Sequence, residues 1–262
     1  MSRIDAAFER ALRENARGFI PYFTAGYPDR DTFGAILRAA ADAGSLAIEV
    51  GIPFSDPIAD GPIIQASSEA ALRAGVRMGA IFEMIREFRT THNTPVVLMG
   101  YVNPILHHGF DAFVRDAADA GADGVIVPDL PPEDAGDLIA AARGREFATI
   151  FLAATTSADE RLRRIADAST GYVYFVSRLG VTGVGAAPDE SLGRMVDRLR
   201  RFTALPIAAG FGVSEPEHVR AVWAQADAAI VGSALVRLIA AQTDRANVAS
   251  AVARECSRLM GR

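Results

Sequence analysis

Short runs of consecutive apolar residues alternate along the whole chain with longer stretches in which apolar residues recur every three or four positions. A short apolar run bounded by turn-forming residues reads as a strand buried on both faces, and the three-to-four spacing reads as a helix with one buried side. By that rule residues 19–24, 46–50, 95–99, 124–127, 147–152, 172–176, 206–209 and 228–231 are strands. Helices are expected over about 31–43, 66–74, 79–89, 110–120, 157–166, 190–201 and 216–224, with helical pattern again from 233 to about 260 and a charged helical pattern before residue 19. Gly121 is placed to stop one helix, and Pro131-Pro132 to open the next, prolines being tolerated in a first turn. Strand-helix pairs with no linker or break in composition predict an α/β chain forming a single-domain TIM (β/α)8 barrel over residues 1–262. A doubly wound parallel sheet fits the same alternation, and the pattern alone does not separate the two.

Composition removes several functions. Half of the 262 residues are apolar and 23% are charged, which suits a large core under a hydrated surface. A net charge of -5 supplies no basic field, so nucleic acid is not an expected partner. No apolar run approaches the roughly 18 residues that cross a membrane, and the charged N-terminal stretch is unlike a signal peptide; a cytoplasmic location is expected. Cys256 is the single cysteine, and His92, His107, His108 and His218 lack zinc-ligand spacing, so no metal is expected. The chain contains no lysine: all 27 basic residues are arginine. Schiff-base chemistry needs an amine that can lose its proton, so carbon-carbon cleavage here must run through acids and bases.

The strand at 46–50 carries a carboxylate, Glu49, and breaks into the acidic, proline-rich loop Gly51-Ile52-Pro53-Phe54-Ser55-Asp56-Pro57-Ile58-Ala59-Asp60-Gly61-Pro62. Burying a carboxylate without donors costs several kcal/mol, roughly, so a Glu kept at a strand end points to proton transfer. Glu49 and Asp60 are placed to flank a ligand from the strand and from its returning loop. A structural Glu paired with an Arg, and an Asp capping the following helix, remain open for the same two residues. Gly210-Phe211-Gly212 and Gly232-Ser233 follow the last two strands. They leave amides uncovered beside a helix start, an arrangement that attracts an anion such as phosphate. Either turn alone is also explained by a need for positive φ. The glycine-rich segment 179–187, with Thr182 at its tip, reads as a lid.

Six segments then become specific together: PYFTAGYPD, IEVGIPFSDPIADGPIIQ, GVIVPDLPPED, YFVSRLGVTG, GFGVS and IVGSALV. In this order and spacing they resemble the α subunit of tryptophan synthase over essentially the whole chain. The resemblance implies a TIM barrel that cleaves indole-3-glycerol phosphate to indole and glyceraldehyde 3-phosphate. It implies no cofactor in this subunit, and a β-subunit partner that carries pyridoxal phosphate in an α2β2 assembly. It further implies Glu49 as acid/base, Asp60 as the carboxylate holding the indole N–H, and Tyr174 beside the substrate. Gly183, Gly212, Gly232 and Ser233 match the phosphate cradle, Thr182 the lid residue that reaches Asp60. Tyr22, Leu98, Tyr101 and Asp129 match positions that line or support the pocket, and Asp56, Pro57, Pro131 and Pro132 the face toward the β subunit.

Two segments depart from the family pattern. Ala153-Ala154-Thr155-Thr156 replaces a proline-containing turn, and Val184-Gly185-Ala186-Ala187 makes a lid of unusually small residues. Asp60, nearer solvent, is expected to stay ionised. Three rival functions share the fold, one of them a free-standing indole-producing lyase. A subunit serving mainly to activate its β partner is motivated by the small lid; a phosphosugar isomerase or cyclising synthase is weakened by the missing lysine.

Overall fold

The computed structural model describes residues 1–176, 190–210 and 212–262, and its elements follow the expected alternation. In chain order they are α1 (Arg3–Arg13), β1 (Gly18–Thr24), α2 (Arg30–Asp42), β2 (Ile48–Gly51), α3 (Pro62–Arg73), α4 (Met78–Arg89), β3 (Val96–Met99), α5 (Val102–His108), α6 (Phe110–Ala120) and β4 (Gly124–Ile126). There follow α7 (Gly136–Ala142), β5 (Ala148–Ile150), β6 (Leu152–Ala154), α8 (Asp159–Ala168), β7 (Val173–Val176), α9 (Glu190–Arg200), β8 (Ile207–Gly210), α10 (Pro216–Trp223), β9 (Ala228–Val231), α11 (Ser233–Ala241) and α12 (Val248–Leu259).

All the strand pairs are parallel, and β1 lies between β2 and β9. That neighbour closes the ring at one point; the chain itself closes it at the other. β5 pairs with β4, β6 pairs with β7, and only Phe151 separates β5 from β6. The expected strand 147–152 is therefore two segments. At Phe151 the N–H donates to Ser169 Oγ at 3.4 Å and the carbonyl accepts from Tyr174 N–H at 3.2 Å, so the backbone changes partners there. β5 and β6 are two halves of one barrel position, the fold is the TIM barrel, and the doubly wound alternative is excluded. β8 and β9 take the seventh and eighth positions.

The core has two layers. An outer layer joins strands to helices; an inner one fills the ring with Ile20, Val97, Ile126, Ile150, Ala208 and Ile230. The floor is α1, opened by a Ser2/Asp5 capping box and presenting Ile4, Ala7 and Phe8 inward. Buried Asp123 ties this floor to the ring: it accepts from Arg3 at 2.9 Å, Arg89 at 2.6 Å and Val96 N–H at 2.8 Å.

One expectation needs correcting. Pro131-Pro132 do not open a helix; they start a turn in which Asp134 N–H bonds to Pro131 O, and α7 begins only at Gly136. The short helix α5, between Tyr101 and Gly109, carries too few residues to display a period. Leu98 is fully buried in the outer layer, against helices, while its neighbour Met99 turns inward. In a strand as uniformly apolar as 96–99 the two-residue repeat has no visible phase, and a slip by one exchanges the faces. Gly121 does stop α6, at φ 95°. No helix among the described residues is long and apolar enough to cross a membrane.

Candidate active site

At the C-terminal ends of the strands lies a cavity of about 420 Å³, lined by Glu49, Asp60, Tyr22, Tyr174, Gly212, Gly232 and Ser233 among others. Inward positions of successive strands build it: Tyr22 and Glu49 are register partners on β1 and β2, as are Leu152 and Tyr174 on β6 and β7. A parallel barrel brings its strand ends to one rim, which is why residues so distant in sequence share one wall.

Glu49 is the second residue of β2, 1% exposed, and faces the barrel interior. Among the described residues no arginine meets it. The hydrogen-bond partner of its carboxylate is the phenol of Tyr172, which donates to Oε1 at 3.0 Å. Burial pushes the carboxyl up to about 8, with the Tyr172 bond pulling partly the other way. That shift favours the protonated form of Glu49 at neutral pH. The structural ion pair left open by the sequence is not formed among the described residues.

Tyr172 was not singled out from the sequence. It precedes β7 and stands two residues before Tyr174, so the strand's alternation puts both phenols on the inner side. Its ring rests on Phe8 of the floor helix, with centroids 5.8 Å apart, so α1 supports the donor that holds Glu49. Tyr172→Phe keeps the ring and removes the donor. The expected result is a further rise in the Glu49 midpoint, read by NMR of the labelled carboxyl; an unchanged midpoint would mean the bond does not act on the acid.

Asp60 occupies the loop between β2 and α3 and is half-buried. Tyr101, itself buried, holds that loop: its hydroxyl accepts from Ala59 N–H at 2.9 Å and bonds the Asp60 carboxylate. Desolvation raises the Asp60 carboxyl above the ordinary range and the Tyr101 bond opposes it. Asp60 is nearer solvent than Glu49, as expected, with its carboxyl shifted upward by partial burial. Tyr22 fits beside Glu49 because Gly51 has no side chain; a Cβ there would stand 2.0 Å from the Tyr22 hydroxyl.

At Gly212, Gly232 and Ser233 the cavity wall is largely backbone. Gly212 has φ +63°, a left-handed conformation that favours glycine. Gly232 caps α11, and its carbonyl accepts from Leu235 and Val236 N–H at 2.9 and 3.1 Å. The amides of Ser233 and Ala234 precede the first intrahelical donor, Leu235 N–H, and the helix dipole adds partial positive charge. Asp129 lies outside the cavity lining and fastens the start of α5, accepting from Val102 N–H at 2.9 Å; Pro128 takes the lining position beside it. Thr182, Gly183 and the rest of 179–187 lie outside the described residues.

The family model described as "Tryptophan synthase alpha chain" matches residues 8–260. The chain belongs to that family. The tryptophan synthase alpha chain of Methylibium petroleiphilum is 46% identical over 241 residues, covering 91% of this chain and 88% of that protein. Among solved structures, the tryptophan synthase alpha chain of Legionella pneumophila superposes with TM-score 0.88 at 33% identity, over 100% of this chain and 98% of that one. A chain from the tryptophan synthase α2β2 complex of Pyrococcus furiosus gives TM-score 0.87 at 40% identity, over 94% and 98%.

Within this family member, the loop after β2 projects the exposed Asp56, the half-buried Pro57 and Ile58, which is 83% exposed. Pro131 and Pro132, half-buried, belong to the loop after β4 on the same barrel end. Of the departing segment 153–156, Ala153 and Ala154 are accommodated as the end of β6.

Proposed function

We propose that Glu49 and Asp60 are the acid–base pair with which this chain performs its family's reaction, the lyase cleavage of indole-3-glycerol phosphate to indole and glyceraldehyde 3-phosphate. The chain is an enzyme of tryptophan biosynthesis, and its partner is the tryptophan synthase β subunit. The observation that carries the residue assignment is the Glu49 carboxyl, 1% exposed inside the rim cavity and held by the Tyr172 phenol, where burial raises its midpoint.

The reaction is a retro-aldol cleavage. Glu49 delivers its proton to indole C3, and positive character appears at N1, where the Asp60 carboxylate stabilises it. The resulting Glu49 carboxylate takes the proton of the side-chain hydroxyl; that oxygen becomes the aldehyde carbonyl as the carbon-carbon bond breaks. The bond electrons return to the ring and restore neutral indole. One proton is gained at carbon and one lost from oxygen, so neither oxidant nor water is consumed. A carboxyl group whose midpoint lies near neutrality suits both transfers.

Tyr22 and Tyr174 flank the ring, with Tyr101 and Asp129 holding the loops behind them. Gly183, Gly212, Gly232 and Ser233 hold the phosphate, and Thr182 closes on Asp60. Asp56, Pro57, Pro131 and Pro132 form part of the β-subunit face, and the exposed Ile58 between the first pair supports that reading by offering apolar surface to bury. The β partner supplies pyridoxal phosphate, this chain acts as a single domain without a cofactor of its own, and the complex works in the cytoplasm. Incubation with indole-3-glycerol phosphate, alone and with a β subunit, is the direct test. Equimolar indole and glyceraldehyde 3-phosphate are expected, faster with the β subunit; no indole under either condition would overturn the proposal.

A further inference from the structure

A phosphate monoester brings nearly two negative charges at neutral pH into a cavity that already contains the Asp60 carboxyl. Backbone amides and a helix start supply only partial charges, about half a unit for the helix. The cavity contains one full positive charge among its described lining residues, Arg237. Arg237 stands on α11 four residues after Ser233, which places both on the same helix face, one turn apart. It is exposed, and it makes no ion pair among the described residues. Elsewhere on the molecule Arg89, Arg200 and Arg258 are committed to Asp123, Asp227 and Glu215. A guanidinium one turn beyond the helix start, with its donors uncommitted, suits two oxygens of a phosphate group.

We infer that Arg237 is the charge-pairing residue of the phosphate cradle and makes the site selective for a phosphate dianion. The inference rests on the reading of Gly212, Gly232 and Ser233 as that cradle, and it adds a side chain that neither the motifs nor the turns contain. The amides fix where the phosphate sits; Arg237 sets how strongly its charge is felt. Its exposure means that salt screens the interaction, which gives the effect a signature.

Glycerol 3-phosphate is a suitable probe, because it carries the phosphate without the reacting ring. Its binding to the full chain is measured by calorimetry for the wild type, Arg237→Gln, Arg237→Lys and Ser233→Pro, which removes one cradle amide at a helix position that tolerates proline, at two salt concentrations and from pH 5 to 7. Arg237→Gln is expected to weaken binding roughly tenfold, to flatten the salt dependence, and to lose part of the rise in affinity as the phosphate takes its second charge near pH 6. Arg237→Lys restores the salt dependence but only part of the affinity, and with indole-3-glycerol phosphate the loss in Arg237→Gln falls mainly on KM. If Ser233→Pro weakens binding while Arg237→Gln matches the wild type in affinity and salt slope, the cradle stands and the role of Arg237 is overturned. If the wild type does not bind the probe, or Ser233→Pro binds as well as the wild type, the cradle itself is wrong and the inference falls with it.

Discussion

Replacing Glu49 with Gln is expected to lower indole release by roughly 10³- to 10⁴-fold, the upper range of what one positioned acid–base group contributes. The substitution keeps size and shape, and the amide oxygen can still accept from Tyr172, so what is lost is the transferable proton. The sign of the pH dependence follows from burial. The acid form of Glu49 is present below its midpoint of about 8 and lost above it, so wild-type turnover should fall as pH rises through that value. The residual activity of the Gln variant should show no such fall. Stability provides an independent reading, because a raised carboxyl midpoint works against the folded state. Below the ordinary carboxyl range both states are protonated and nothing is lost. As pH climbs from there to about 8 the unfolded chain ionises first, and folded stability declines. The Gln variant escapes that decline, so at pH 8 it should melt at or above the wild-type temperature. An active Gln variant would remove Glu49 from the chemistry. An inactive one that melts lower would point to misfolding.

The barrel was legible because parallel strands buried on both faces leave uninterrupted apolar runs, and residues 228–231 and 110–120 match the observed β9 and α6 bounds. The same uniformity hides the phase: nothing within Val96-Val97-Leu98-Met99 tells that Val97 and Met99 face the ring while Leu98 packs in the outer layer. Polar exceptions were easier to read. Glu49 interrupts an apolar run, and no reading of it as ordinary core is comfortable; Gly212 and Gly232 stand out as backbone with no side chain at a rim. Tyr172 was illegible for the opposite reason, since a tyrosine at a strand start is unremarkable until the fold shows its hydroxyl against a carboxylate 123 positions away. Arg237 is hidden in a different way. Its helix is apolar on one side, and a lone arginine there reads as a solvated surface residue until the cavity is traced past Ser233.

Asp60→Asn is expected to cost about 10² to 10³ in kcat/KM, the range associated with losing one preorganised electrostatic partner of the transition state. The change removes charge while keeping the outline of the loop, whose position depends on Tyr101 and on backbone bonds. Asp60 N–H reaches Pro57 O at 3.1 Å, and Gln65 Nε2 donates to Asp60 O at 2.9 Å, neither involving the carboxylate. The indole nitrogen is nearly neutral in the substrate and positive once C3 is protonated, so a carboxylate beside it favours the transition state over the ground state. Substrate binding should therefore change less than turnover. The pH dependence has the opposite sign from that of Glu49. Asp60 works as its anion, and its raised midpoint brings the loss of that anion closer to neutrality, so wild-type activity should fall as pH drops through it. The two carboxyls together give a bell, ionised Asp60 setting the acid side and protonated Glu49 the alkaline side. In Asp60→Asn the acid limb should disappear while the alkaline limb near pH 8 remains. A variant that retains both limbs would assign the acid one to another group, and a variant with wild-type kcat/KM would reduce Asp60 to a residue that shapes its loop.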